Sequence, residues 1–188
     1  MSIKILFGLG NSGSEYAGTR HNAGAIAIEH LADVRGVQFS RNKFCNAYMA
    51  KITCGSNPIV LAFCDGFMNN SGIGIKKVLS YLKISASAMA VIYDDITMPV
   101  GRFKVSVGGS CGGHNGVEDI ISRLGNDFAR IRIGIGAKPF KTMDLADYVL
   151  GKLSNEDLTA IKLLDIGGCV DMLVSQGVSK TQNLFNRT

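Results

Sequence analysis

The chain has 188 residues, 46% hydrophobic and 19% charged, and a formal net charge of +5. That balance excludes a disordered chain, suits one domain with a substantial core, and favours an anionic partner such as RNA. Five cysteines, an odd number without a Cys-x-x-Cys pair, argue against a disulfide framework and for reduced thiols in a cytoplasmic protein.

Residues 3–7 read as a buried strand stopped by Gly8, with no signal peptide's longer apolar stretch before it. No apolar run approaches the roughly 18 residues of a membrane-spanning helix. Asn22 is placed to cap a helix running to about Arg35, with Ile26, Leu31 and Val34 inward and Gly36 ending it. Strands over 47–52 and 59–63 flank a turn at 55–58. Ser71 opens a second helix, in which Ile75, Val78, Leu79 and Leu82 follow helical spacing. Short strands follow at 90–93 and, past Pro99-Val100-Gly101, at 102–107. Asn115 is placed to cap a third helix through Leu124. A strand over 129–135 then turns Ile131, Ile133 and Ile135 to one face and Arg130 and Arg132 to the other. Ser154-Asn155-Glu156-Asp157 signals the start of a long last helix, striped by Leu158, Ile161, Leu164 and Met172 and closed by Gly177. Strands alternating with helices predict a single α/β domain over residues 1–188, three-layered, with a mixed, mostly parallel twisted sheet and helices on both faces. Residues 142–188 are its C-terminal helical segment, a candidate lid and RNA-binding surface.

Gly8-x-Gly10-x-x-Gly13 formally satisfies the dinucleotide-binding fingerprint, but its context does not. The helix starts only near Asn22, and Asp33, about 20 residues on, lies inside that helix rather than at a strand end. Only three histidines are present. His21 lies on a loop before a helix, where an imidazole can accept a proton near neutral pH. Asp94 leaves a separate buried strand, where such sheets collect functional groups. Asn11, Asn69 and Asn115 each have a structural reading, as turn residues or a helix cap. An amide also donates and accepts, so each can hold a carbonyl without adding charge. Tyr16 and Phe67, beside those amides, offer faces on which a nucleobase can stack. Ser71 and Ser110 are the rival nucleophiles, though neither lies in a Gly-x-Ser-x-Gly elbow. His114 with Asp94 or Asp95 raises the question of a metal, but no His-x-x-x-His or His-Glu pattern exists. His30, inside the first helix, reads as structural.

Phe7-Gly8-Leu9-Gly10-Asn11, Thr19-Arg20-His21-Asn22, Phe67-Met68-Asn69-Asn70-Ser71-Gly72, the glycine-rich stretch 108–116 and Arg130-Ile131-Arg132-Ile133-Gly134-Ile135-Gly136 occur in that order. Together they closely resemble the bacterial peptidyl-tRNA hydrolases, from Ile3 to about Gly151. The resemblance implies a metal-independent esterase of translation that needs no cofactor and splits peptidyl-tRNA into peptide and reusable tRNA. It puts the general base on His21 and its orienting carboxylate on Asp94. Asn11 would help tell N-blocked from free aminoacyl groups, and Asn69 and Asn115 would contact the tRNA end and the water or carbonyl. Tyr16 and Phe67 fall in the substrate site, Met68 beside the peptide and His114 next to Asn115. Lys104 and Arg132 fall where the family contacts phosphates near the 5′ end of the acceptor stem. The implied partner is the 3′ CCA end and acceptor stem of peptidyl-tRNA, bound by a monomer, with no membrane and no metal.

The chain departs from the family's pattern in places. Ser12 and Ser14 stand where prolines are frequent, so a looser first loop is expected. Asp95 replaces a usual glutamate, Thr97 a usual aspartate, Cys111 a frequent histidine, and Ser106 a frequently basic residue. A non-catalytic RNA-binding module and a nucleotide-dependent oxidoreductase are the rival classes.

Overall fold

Residues Ile5–Gly8 form the first strand, β1, and every one of them is buried. Alternation along the strand sends Leu6 to one side of the sheet and Ile5 and Phe7 to the other, each into its own hydrophobic cluster. The computed structural model describes residues 2–187. The other strands are β2 (Ser40–Asn42), β3 (Ala47–Cys54), β4 (Asn57–Cys64), β5 (Met89–Asp95), β6 (Phe103–Val107) and β7 (Ala129–Gly134). They form one seven-stranded sheet in the order β2-β3-β4-β1-β5-β7-β6. Parallel pairing is confined to the centre, β4-β1-β5-β7, while both flanks are antiparallel, so the sheet is mixed.

Helices cover both faces, giving three layers. On one face α1 (Ala23–Val34), α5 (Asn155–Lys162) and α6 (Ile166–Gln176) bury Ile28, Leu31, Ile161, Cys169 and Leu173 against Leu6, Ile92 and Ile131. On the other, α2 (Ser71–Leu82) and α3 (Asn115–Leu124) bury Ile75, Val78, Val117 and Ile120 against Phe7, Val91 and Phe128. Two short C-terminal elements, α4 (Leu145–Leu150) and α7 (Val178–Phe185), complete the chain. No helix among the described residues is long and apolar enough to cross a membrane.

The expected elements through β7 are present, some with moved edges. The turn before β4 is only Gly55-Ser56, with Gly55 at φ 61°, and Asn57 and Pro58 already belong to the strand. The single long last helix is instead two. Asp165 caps α6 by accepting from the Gly168 N–H at 2.8 Å, and Gly167-Gly168 form a weak helical start. Gly177, at φ 80°, then separates α6 from α7. The short β2 and α4 were not expected.

From β1 the chain turns towards β2–β4, and from β5 it turns towards β6 and β7 on the other side. The loops leaving the C-terminal ends of β1 and β5 therefore part, opening the crevice in which open α/β sheets place ligands. Gly24 lets α1 approach closely there, since a Cβ on it would lie 2.2 Å from the Ile92 carbonyl oxygen. Of the apparent dinucleotide glycines, Gly8 and Gly10 serve this packing, and only a 3-10 turn, Ser14–Tyr16, opens at Gly13.

Candidate active site

His21 lies in a 3-10 turn, Arg20–Asn22, between β1 and α1, and Asp94 lies near the end of β5. The fold brings them into contact: His21 Nδ1 is 2.9 Å and 3.0 Å from the two Asp94 carboxylate oxygens. An ionised carboxylate only accepts, so Nδ1 carries the proton and Nε2 keeps its lone pair. His114 Nε2 reaches the same Oδ1 at 3.0 Å. The Val117 N–H donates to His114 Nδ1 at 3.3 Å, so Nδ1 is the acceptor and Nε2 the protonated donor. Asp94 thus receives two imidazole N–H groups. Burial pushes its carboxyl pKa up, but His114 first and His21 second outweigh burial and hold it well below the usual carboxylate range.

These contacts revise one expectation: His114, not Asn115, caps α3. Both nitrogens of the His114 ring are engaged within the protein, a supporting hydrogen-bonding role in which it holds Asp94. One ligating atom each from His21, Asp94 and His114 lie within 4.8 Å of one another, a spacing that a metal could use. The donor set does not suit one. A metal on His114 Nε2 would force the proton onto Nδ1, where it would face the Val117 N–H, donor against donor.

Asn11 is fixed from two directions. Its side-chain oxygen accepts from the Met68 N–H at 2.7 Å, so its NH₂ is left to donate. Its backbone is gripped by Asn22, whose oxygen accepts from the Asn11 N–H and whose NH₂ donates to the Asn11 carbonyl, both at 2.9 Å. Asn22 therefore acts as a clamp and makes no side-chain cap for α1. Ser12, expected to loosen this loop, ties it down. Its N–H donates to the Gly66 carbonyl at 2.9 Å and its hydroxyl accepts from the Gly66 N–H at 2.8 Å.

Around this floor lies a cleft of about 860 Å³. Asn11, Tyr16, Phe67, Met68, Asn69 and Asn115 all line it, so the fold gathers the dispersed family-like segments at one place. Phe67 is 59% exposed rather than core, and it meets Tyr16 edge-on at 6.3 Å. Met68 is buried. Asn69 and Asn115 are exposed, and among the described residues neither makes a side-chain hydrogen bond within the protein. The glycine-rich stretch 108–113 forms one wall and residues 144–150 another. The second wall is tied by its far end: the Tyr148 hydroxyl donates to the Ile135 carbonyl at 2.9 Å, and the Arg20 guanidinium lies 4.5 Å over the Tyr148 ring.

The two expected phosphate contacts differ. Arg132 lines the cleft but is half-buried and paired with Asp95 at 2.8 Å. The other Asp95 oxygen accepts from the Thr97 N–H and hydroxyl, so Asp95 and Thr97, both departures from the family's pattern, form one closed turn. Lys104 is exposed opposite Arg132 in the β6-β7 pairing and lies outside the cleft lining. Ser71 is buried, donates to the Met68 carbonyl at 2.7 Å and does not line the cleft, which argues against it as a nucleophile. One contributor is missing from the sequence reading, the Asn22 clamp, and its signal was its adjacency to His21.

The chain matches the family model described as Peptidyl-tRNA hydrolase over residues 5–188. A relative named peptidyl-tRNA hydrolase from Lachnoclostridium phytofermentans is 39% identical over 97% of this chain and 96% of its own length. Another, from Desulfitobacterium hafniense, is 38% identical over 98% of this chain and 100% of its own. Among solved structures, an Arg119Gln mutant of a peptidyl-tRNA hydrolase from Acinetobacter baumannii superimposes with a TM-score of 0.89 at 31% identity. It covers 99% of this chain and 95% of that one.

Proposed function

The chain belongs to the peptidyl-tRNA hydrolase family, and from that premise we propose that its cleft cleaves the ester joining a peptide's C-terminal carbonyl to the 3′ ribose of tRNA. The observation that carries the mechanism is the His21 imidazole, anchored through Nδ1 to Asp94 with Nε2 free. Water gives its proton to Nε2 as its oxygen attacks the ester carbonyl. Asp94 stabilises the imidazolium that forms, and that proton then passes to the departing ribose oxygen. The products are a free peptide carboxylate and tRNA.

The remaining roles follow from chemistry and position. The Asn11 NH₂ is the donor for the amide carbonyl of an N-blocked substrate. Asn69 and Asn115 present unengaged amides for the ester oxygen and the terminal nucleotide. Tyr16 and Phe67 offer an aromatic corner for the terminal adenine, and Met68 lies beneath the peptide. Lys104 and Arg132 face acceptor-stem phosphates beyond the cleft rim. In this reading the chain acts as one domain and a monomer in the cytoplasm, with residues 142–188 contributing the second cleft wall and RNA-binding surface.

The test is hydrolysis of N-acetyl-aminoacyl-tRNA against free aminoacyl-tRNA, with a chelator present. The parent should release the blocked amino acid selectively. His21→Ala should lose about 10²–10⁴-fold in kcat while still binding tRNA, the range general-base assistance supplies. Parent-rate turnover by that variant would rule His21 out as the base. Intact binding with no turnover by the parent would favour the non-catalytic RNA-binding module.

A further inference from the structure

Arg130 is 2% exposed and heads the fully buried side chains by size. Among the described residues no carboxylate pairs with it. A buried cation without a counter-charge is costly, and a methionine would fill similar space without that cost. What the guanidinium does hold is the glycine-rich wall of the cleft. It donates to the Ser110 carbonyl at 2.8 Å and to the Gly109 carbonyl at 3.1 Å. It also donates to the Asn126 side-chain oxygen, while the Asn126 NH₂ donates to the Gly109 carbonyl at 2.8 Å. The Phe128 ring lies 4.8 Å beneath its charged carbon.

The wall needs such a hold. Gly108, Gly109, Gly112 and Gly113 all have positive φ, between 61° and 87°, a backbone open to many alternatives in the unbound state. Among the described residues, the hydrogen bonds reaching 109–113 come from Arg130, from Asn126 and, at the C-terminal end, from the neighbouring His114 N–H, which donates to the Cys111 carbonyl at 3.0 Å. The floor of the site does not depend on Arg130 or Asn126: His114 is tied to Asp94, and the α3 side chain Asp119 accepts from the Gly72 N–H at 2.9 Å.

We propose that Arg130, with Asn126, is a positioning residue that sets the glycine-rich wall in its substrate-receiving shape without touching the reacting atoms. This deepens the reading of the cleft as an acyl-tRNA site and rests on it. Releasing the wall lowers the fraction of molecules ready to bind, so it raises KM and leaves the proton chemistry alone. Arg130→Met should raise KM for N-acetyl-aminoacyl-tRNA about ten-fold, with kcat within about two-fold of the parent, as a loss of the competent population requires. The pH profile should not move. Arg130→Lys, which offers donors without the planar fork, should recover part of the loss. Asn126→Ala, at an exposed position, should raise KM in the same direction by about three-fold with little loss of thermal stability.

Backbone order parameters read the wall whatever the substrate. Those of 109–113 should fall in both Arg130→Met and Asn126→Ala, while those of α3 stay high. If Arg130→Met fails to fold, the Asn126→Ala result decides. Unchanged order parameters at 109–113 in Asn126→Ala would overturn the clamp even if the parent hydrolysed no acyl-tRNA. A kcat loss with a shifted pH profile, or an unmoved KM beside lowered order parameters, would overturn the positioning role.

Discussion

Asn11 and Asp94 show how much a single side chain's partners decide. Because the Asn11 oxygen is committed to the Met68 N–H, the group offered to the cleft is a donor. Asn11→Asp keeps the accepted bond but replaces that donor with a carboxylate oxygen, which repels a blocking carbonyl and attracts a free ammonium. The kcat/KM ratio of N-acetyl to free aminoacyl-tRNA should fall by about ten- to a hundred-fold, the worth of one mismatched buried polar group. An unmoved ratio would place the discrimination elsewhere, with Asn69 the next candidate. Asp94 carries a pH signature. Its folded-state pKa is depressed, so near the ordinary carboxylate pKa of about 3.9 the unfolded chain binds the extra proton. Its contribution to stability is therefore full above that value and is lost as pH falls towards the folded pKa. Parent melting temperature should drop more steeply than that of Asp94→Asn as pH is lowered from about 5 to 2. Parallel curves would mean that the carboxylate gains nothing from its two imidazoles.

At the scale of elements, the site depends on how closely α1 approaches β5. Gly24→Ala would drive a Cβ into the Ile92 carbonyl and push the start of α1, with the His21 turn before it, away from Asp94. The expected result is a loss of about 1–3 kcal/mol in stability, typical of overpacking, together with a fall in kcat. Denaturant unfolding and single-turnover hydrolysis read the two effects, and a stable, fully active variant would show that α1 can shift without cost. The same elements show what the residues disclosed in advance. β1, β4, β5, β7 and α1–α3 were legible because one periodicity runs through each. The break between α5 and α6 was hidden because Leu158, Ile161 and Leu164 keep helical phase up to it. The cap of α3 was placed one residue late because His114 and Asn115 are adjacent polar residues, and only the Val117 N–H distinguishes them. His21 and the three cleft amides stood out through their family-like segments, and Asp94 through its place leaving a separate buried strand. The Asn22 clamp and the Asp95–Arg132 pair did not, because each is a tertiary bond that no local pattern announces.

For the molecule as a whole, the net charge of +5 predicts tRNA binding that weakens with salt. Lys104→Ala should reduce the slope of log affinity against log salt by about one phosphate contact. Arg132→Ala should cost more, because it also uncovers the Asp95 carboxylate at the cleft rim. Neither variant should alter hydrolysis of a short 3′-end fragment carrying the same acyl group. Equal losses on the fragment and the full tRNA would mean that these cations act on the ester and not on the stem.

The reciprocal bonds between Asn11 and Asn22 carry a consequence for accuracy. Asn22 follows His21 in the same tight turn and grips the Asn11 backbone at both its N–H and its carbonyl. In the proposed mechanism, any disturbance of that turn shifts the proton acceptor and the amide that inspects the acyl group as one piece. Speed and fidelity should then fail together. Damage here should yield an inert protein rather than a promiscuous one that discharges aminoacyl-tRNA still needed by the ribosome. For a hydrolase surrounded by near-copies of its substrate, that is the safer way to break.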